Sequence, residues 1–144
     1  MSYNDRTDRM TAVGHTIETS TATLVLVAPG FIEQRYNPTT RFSPNNLAES
    51  RKARAKLCAG RPCALMIVVP AEVPIEPPLS NVDHFRTEST ERSIIALALV
   101  TESAMMSSVS KFYFMYFPQA FETRVFSTEE EARTWLLGKL ADLT

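Results

Sequence analysis

The stretch CALMIVVP, residues 63–70, decides the fold. It is a continuous apolar run of strand length, far short of the roughly 20 residues that a membrane span needs. It lacks the alternation of a strand with one wet face. Such a run belongs where both faces of a sheet are covered, in the centre of a parallel or mixed sheet. A second run of the same kind, IIALALV, occupies residues 94–100. Two such strands call for helical crossovers on either side of them.

The flanking residues supply those helices. Before the first run, SPNNLAESRKARAKLCAG predicts a helix over residues 44–59. Ser43 is its cap, and Pro44 suits the first helical position because its missing N–H would be unpaired there. Gly60 stands where a left-handed C-terminal cap is expected. Between the two runs lies the proline-rich AEVPIEPPL, a stiff loop, followed by a short helix from about Asn81 with Ser80 as cap and Asp83 near its start. After the second run, TESAMMSSVSKFYFMYF reads as a helix, with Met105, Val109, Phe112 and Tyr116 recurring at three- and four-residue steps. Pro118 stops it. FETRVF is a short strand. Ser127 and Glu130 form an S-x-x-E capping box for a last helix whose apolar stripe is Ala132, Trp135, Leu136 and Leu140. Glu129, Glu130 and Glu131 complement the dipole of its first turn.

Towards the N-terminus, TATLVLVAPG reads as a strand ended by Pro29-Gly30, and MTAVGHTIETS as an edge strand antiparallel to it. FIEQRYNPTTRFSPNN, rich in Pro, Thr and Asn, reads as a long connection. The expected order is β-β-α-β-α-β-α-β-α: an α/β domain over residues 11–144 with a single mixed sheet of about five strands, preceded by a loose polar tail at residues 1–10.

Bulk properties narrow the function classes. A formal net charge of −1 argues against a dedicated nucleic-acid surface. The polar start MSYNDRTDRM carries no apolar signal region, so a cytoplasmic location is expected. Cys58 and Cys63, separated by AGRP, have neither zinc nor redox spacing and read as two reduced thiols. His15 and His84 lack a second ligand at helical spacing, so neither a metal nor a cofactor is expected. G-x-S-x-G, P-loop and H-E-x-x-H motifs are absent, and the adjacency of Asp83 and His84 does not make a dyad.

Three sites invite a functional reading. Phe112, Tyr113, Phe114, Met115, Tyr116 and Phe117 cannot all face one sheet from a helix, because at 100° per residue they cover its circumference. They form a dimer interface, a membrane-surface patch, the wall of a lipophilic ligand site, or a helix end buried beneath residues 31–42 and the proline-rich loop. Lys111 alone offers little attraction to anionic lipid, so peripheral membrane contact is the weakest of these. Arg51, Lys52, Arg54 and Lys56 make either a solvated basic helix face or a surface for an anion or acidic partner. Ser80 is either a plain cap or a phosphorylation site, since a phosphate is welcome at a helix N-terminus.

The runs at 63–70 and 94–100, the aromatic helix and the finish ETRVFSTEEEARTWL together resemble the STAS-like proteins, a group related to the sporulation anti-sigma-factor antagonists, and within it a poorly characterised bacterial branch. The finish carries the most specific part of the likeness, at Val125, Phe126, Ser127, Glu129 to Glu131, Ala132, Trp135 and Leu136. The resemblance covers roughly residues 14 to 140. It implies a four- or five-stranded mixed sheet with helices mainly on one side. It also implies a domain that is generally not an enzyme, that often binds a partner protein and that sometimes binds nucleotides or lipids. The phosphorylatable D-S-[ST]-G loop of the family is missing here, and only Ser80 occupies a comparable place. The resulting expectation is a non-enzymatic regulatory domain with a protein partner, self-associating through its aromatic helix. The alternative is a binder of a small hydrophobic ligand or lipid beside that helix.

Overall fold

A computed structural model describes residues 13–38, 40–71 and 82–143. Its elements are β1 (Thr16–Glu18), β2 (Ala22–Ala28), β3 (Phe31–Tyr36), α1 (Pro44–Cys58), β4 (Cys63–Val68), α2 (Arg86–Glu91), β5 (Ile94–Val100), α3 (Ala104–Tyr116), β6 (Glu122–Phe126) and α4 (Glu129–Ala141). All six strands form one mixed sheet in the order β1-β2-β3-β4-β5-β6. β1 and β3 each run antiparallel to β2, and β3 to β6 are parallel.

The expected sheet of about five strands gains one, β3, from residues that read as a connection. FIEQRY pairs with β2 across Pro29-Gly30, closing Ala28 against Phe31. Gly30 sits at φ +73°, the left-handed conformation that the second central position of a Pro-Gly turn requires. Three other expectations shift. The N-terminal strand is confined to Thr16–Glu18. The cap of the last helix is Thr128 rather than Ser127, its hydroxyl accepting from the Glu131 N–H at 3.3 Å, so the capping pattern slides by one residue. The short helix after the proline-rich loop begins at Arg86. The tail at residues 1–10, Ser80 and Asn81 lie outside the described residues.

Alternate residues of each strand feed two cores. On one face Leu24, Leu26, Ile32, Leu65, Ile67 and Leu97 pack with Ala53 and Leu57 of α1 and Met106 of α3. On the other, Ala64, Met66, Ala96, Ala98 and Val100 pack with Ala132 and Leu136 of α4. Three helices therefore attend one face and a single helix the other. Ala64, Ala96, Ala98 and Ala132 have no measurable exposure, and their small side chains let α4 lie close against the sheet. Ion pairs hold its rim: Arg35 reaches Glu129 at 2.7 Å, and Arg133 reaches Glu33 at 2.7 Å and Glu129 at 2.7 Å.

α1 opens with a capping box, Asn46 N–H donating to Ser43 Oγ and Ser43 N–H to Asn46 Oδ1. It closes with Ala59 and Gly60 both at positive φ, one residue earlier than a Gly60 cap alone would require. Cys58 and Cys63 are buried free thiols. The Cys63 thiol and burial push the Cys58 pKa up, the Cys58 thiol draws that of Cys63 down, and both side chains pack in the core as small apolar groups.

Candidate functional site between the sheet and helix α3

The line Leu47, Ser50, Arg54, Leu57 on α1 faces the sheet, and it brings a cation with it. Arg54 is only 4% exposed. Its Nε and Nη2 donate to the two carboxylate oxygens of Glu88 on α2 at 2.8 and 2.6 Å. Its Nη1 donates to Gln34 Oε1 on β3 at 2.8 Å. Its Cζ lies 5.3 Å from the centroid of the Phe85 ring. Burial works to lower the guanidinium pKa, but the Glu88 carboxylate outweighs it and the pKa is raised. A charge taken out of water is tolerated only when paired and hydrogen-bonded in this way.

The expected basic surface is accordingly smaller than the sequence implies. Arg54 belongs to the interior, where its partner is Glu88. Lys52 and Lys56 are exposed and Arg51 half-buried, which leaves three cations on the outer side of α1.

Tyr36, the last residue of β3, stands beside Arg54. Burial pushes its phenol pKa up, and its hydroxyl interacts with Ser50 and Gln34. Ser50 Oγ and Gln34 Nε2 are fully buried, and Tyr36 is the polar neighbour they share.

In front of this cluster lies a cavity of ≈ 140 Å³. Its floor is the sheet, through Ile67, Val69 and Leu99; Phe42 and Phe85 form one side, and Met106, Ser110 and Phe114 of α3 the other. Leu99 is the telling residue. It lies in the second-last position of β5, flanked by β4 and β6, yet it keeps accessible surface. Among the described residues of the crossover from β4 to β5 the helical ones are Arg86–Glu91, and the cavity lies beside them between α1 and α3.

Tyr113 ties α3 to the segment before α2. Its hydroxyl donates to Val82 O at 2.6 Å and accepts from His84 N–H at 2.8 Å. Burial pushes its pKa up to about 12. Asp83 accepts from the Phe85 N–H and from Gln119 Nε2, both at 3.0 Å, which gives it a structural position before α2.

The aromatic run on α3 divides as helical geometry demands. Tyr113, Phe114 and Phe117 are half-buried, and Phe114 packs against the core. Phe112, Met115 and Tyr116 are 69%, 73% and 75% exposed, and Met105 is 78% exposed. The buried residues of this helix are Met106 and Ser110. Of the recurring residues Met105, Val109, Phe112 and Tyr116, three therefore point away from the sheet, and Val109, 36% exposed, borders the cavity. A period of three and four residues reports which residues share a side, and does not report which side is inward.

Sequence reasoning does not single out Gln34, Tyr36 or Glu88. Gln34 and Tyr36 carry a faint signal, the alternation Ile32, Gln34, Tyr36 on one face of FIEQRY. Glu88 carries none. Among the described residues no group of three His, Cys, Asp or Glu side chains is placed to hold a metal ion. No helix of the described residues is long and apolar enough to cross a membrane.

Sheet, crossovers and buried ion pair define an α/β protein with an apolar cavity at the carboxyl end of its parallel strands. Residues 27–138, from the end of β2 into α4, match the family described as a domain of unknown function, DUF7793, and the chain belongs to that family. No match was found among curated proteins or solved structures.

Proposed function

We propose that the protein is a non-enzymatic, STAS-like interaction domain with a regulatory role, and that it pairs with a second copy of itself through the outer face of α3. The single mixed sheet, with three helices on one face and one on the other, supports the STAS-like reading. One observation carries the interaction reading. Of the nine large apolar residues that are exposed among the described ones, five lie on α3: Met105, Val109, Phe112, Met115 and Tyr116. Four of them, Met105, Val109, Phe112 and Tyr116, follow a 4-3-4 spacing within an arc of about 60°. That is the seam two helices use when they pack on each other, and a contiguous exposed apolar patch of this kind marks an interaction surface. A self-complementary stripe on one helix suits a two-fold contact.

Sedimentation velocity over a concentration series tests the proposal. The wild-type chain should move from monomer to dimer as concentration rises. Phe112→Ser combined with Tyr116→Ser should remain a monomer with an unchanged circular dichroism spectrum. An unaltered association in that double variant would exclude the α3 stripe as the interface. Phe114 and Phe117 are unsuitable for this purpose, because both are half-buried and their loss would mix folding with association.

A second reading, a receptor for a small apolar ligand, is favoured by the cavity beside the same helix.

A further inference from the structure

We infer that the cavity between α1, α2 and α3 receives a small neutral molecule, one aromatic ring or a branched aliphatic group of similar size, bearing a single hydrogen-bond acceptor such as a carbonyl oxygen directed at Arg54. This rests on reading the cavity as a ligand site, and it adds the chemistry of the ligand.

Size sets the first limit. The cavity measures ≈ 140 Å³. An apolar cavity of about 150 Å³ engineered into an unrelated protein stays dry and takes up benzene. The cavity is open to solvent on one side, and the part of a ligand that enters it is limited to about one ring. The walls set the second limit. Ile67, Val69, Leu99, Met106, Phe42 and Phe114 offer only carbon and sulfur to most of the ligand.

The polar end sets the third. Arg54 lines the cavity, and a guanidinium has five N–H donors. Three of them are engaged by Glu88 and Gln34, which leaves two with no partner among the described residues. An acceptor oxygen would satisfy one of them. Tyr36 lines the cavity beside Arg54, while Ser110, His84 and Tyr113 add polar groups on the α2 and α3 sides, so Arg54 is the one charged donor of the lining that keeps N–H groups in hand.

Charge sets the fourth. Arg54 and Glu88 sum to zero. An anionic ligand would bring an uncompensated negative charge into an apolar enclosure, and a cationic one would meet a carboxylate already taken. A neutral acceptor escapes both costs. Position agrees with the assignment. Tyr36, Val69 and Leu99 lie at the carboxyl ends of β3, β4 and β5, the end of a parallel sheet at which ligands bind.

The test is a titration of the full chain, followed by amide chemical shifts, with three compounds that share a ring: ethylbenzene, acetophenone and benzoate. Acetophenone should shift the amides of Ile67, Leu99 and Ser110 and bind about ten-fold more tightly than ethylbenzene, the worth of one added hydrogen bond to a charged donor. Benzoate should not bind over the same concentrations. Leu99→Phe, and independently Ser110→Leu, should fill the space and abolish acetophenone binding with the amide dispersion of a folded protein intact. Equal affinities for acetophenone and ethylbenzene would overturn the role of Arg54 while leaving the apolar site standing. Preference for benzoate would overturn the neutral class. Failure of all three compounds would remove the ligand-site reading itself, whereas the α3 interface is judged separately by sedimentation. Should both filling variants unfold, the order of the three affinities in the wild-type chain decides the matter alone.

Discussion

The face of the sheet under α4 and the face under α1, α2 and α3 are built from alternate residues of the same strands, yet they are closed in different ways. Under α4 the inward side chains include Ala64, Ala96 and Ala98 beside Phe31, Met66 and Val100, and one helix seals the surface. Its rim is stitched by Glu33, Arg35, Glu129 and Arg133, and by Trp135, which packs on Phe126 between the cations of Arg124 and Lys139. Under the other three helices the inward strand side chains are mostly Leu and Ile. A cavity and a buried ion pair lie among them. Neighbouring residues on one strand thus meet opposite environments: Ala98 is sealed, Leu99 is not. A face closed by backbone proximity has nothing to offer a ligand. A face spanned by long side chains and unequal helices does, and the features with functional promise all lie on that side.

The contrast can be broken most forcefully at the ion pair. Glu88→Leu leaves Arg54 charged and buried without its partner and should lower stability by about 3–5 kcal/mol in urea unfolding. Adding Arg54→Met should restore most of the loss, since the pair as a whole is close to neutral against apolar replacements. A single-variant loss no larger than that of an exposed ion pair would show that the network is wet.

A sharper comparison uses two adjacent residues. Ala98→Leu forces bulk between the sheet and α4 and should cost about 1–3 kcal/mol. Leu99→Phe also adds three carbon atoms, though less volume, and adds them into the cavity, so it should cost less than about 1 kcal/mol. Equal losses, measured by thermal or urea unfolding, would erase the distinction between the faces.

The smallest effect is a pH dependence. The phenol pKa of Tyr113 is raised from 10.0 to about 12 by burial. Between those values the folded chain keeps a proton that the unfolded chain releases, so stability is full below pH 10 and falls as pH rises towards 12. Tyr113 is half-buried, which keeps the effect modest. Tyr113→Phe should flatten the fall relative to wild type. Identical profiles in the two proteins would assign the change to other groups, Tyr36 first, since burial raises its pKa as well.

Much of this architecture is legible in the residues alone. CALMIVV and IIALALV announce adjacent central strands, and Leu65 does lie beside Leu97 in parallel register. Ser43-Pro44 marks the start of α1. What escapes such a reading shares one physical cause, long-range pairing of polar residues. FIEQRY looks like a connection because Glu33, Gln34 and Arg35 are consecutive and polar. Their partners, Arg133, Arg54 and Glu129, are supplied by α1 and α4 from distant parts of the chain. The same blindness places Arg54 on the surface: a guanidinium on a helix reads as solvated until the carboxylate that neutralises it is seen. The outward stripe of α3 is visible as a stripe, but its direction depends on which of two apolar sides the sheet accepts. Here it takes Met106, Ser110 and Phe114 and leaves Met105, Phe112 and Tyr116 outside.

The sequential strand order carries a consequence for how the chain assembles. Every strand settles beside its immediate predecessor, so each pairing closes a modest loop and the sheet can grow by accretion. The exception is α4, whose arginine and glutamate contacts return to β3 across separations of 94 and 100 residues. Pulse-labelled hydrogen exchange should find the β3–β4 amides guarded before those of α4, and the reverse order would contradict this sequence of events. Until the last helix docks, the alanine-lined side of the sheet stands bare, and that interval is when a nascent chain has most to fear from its neighbours.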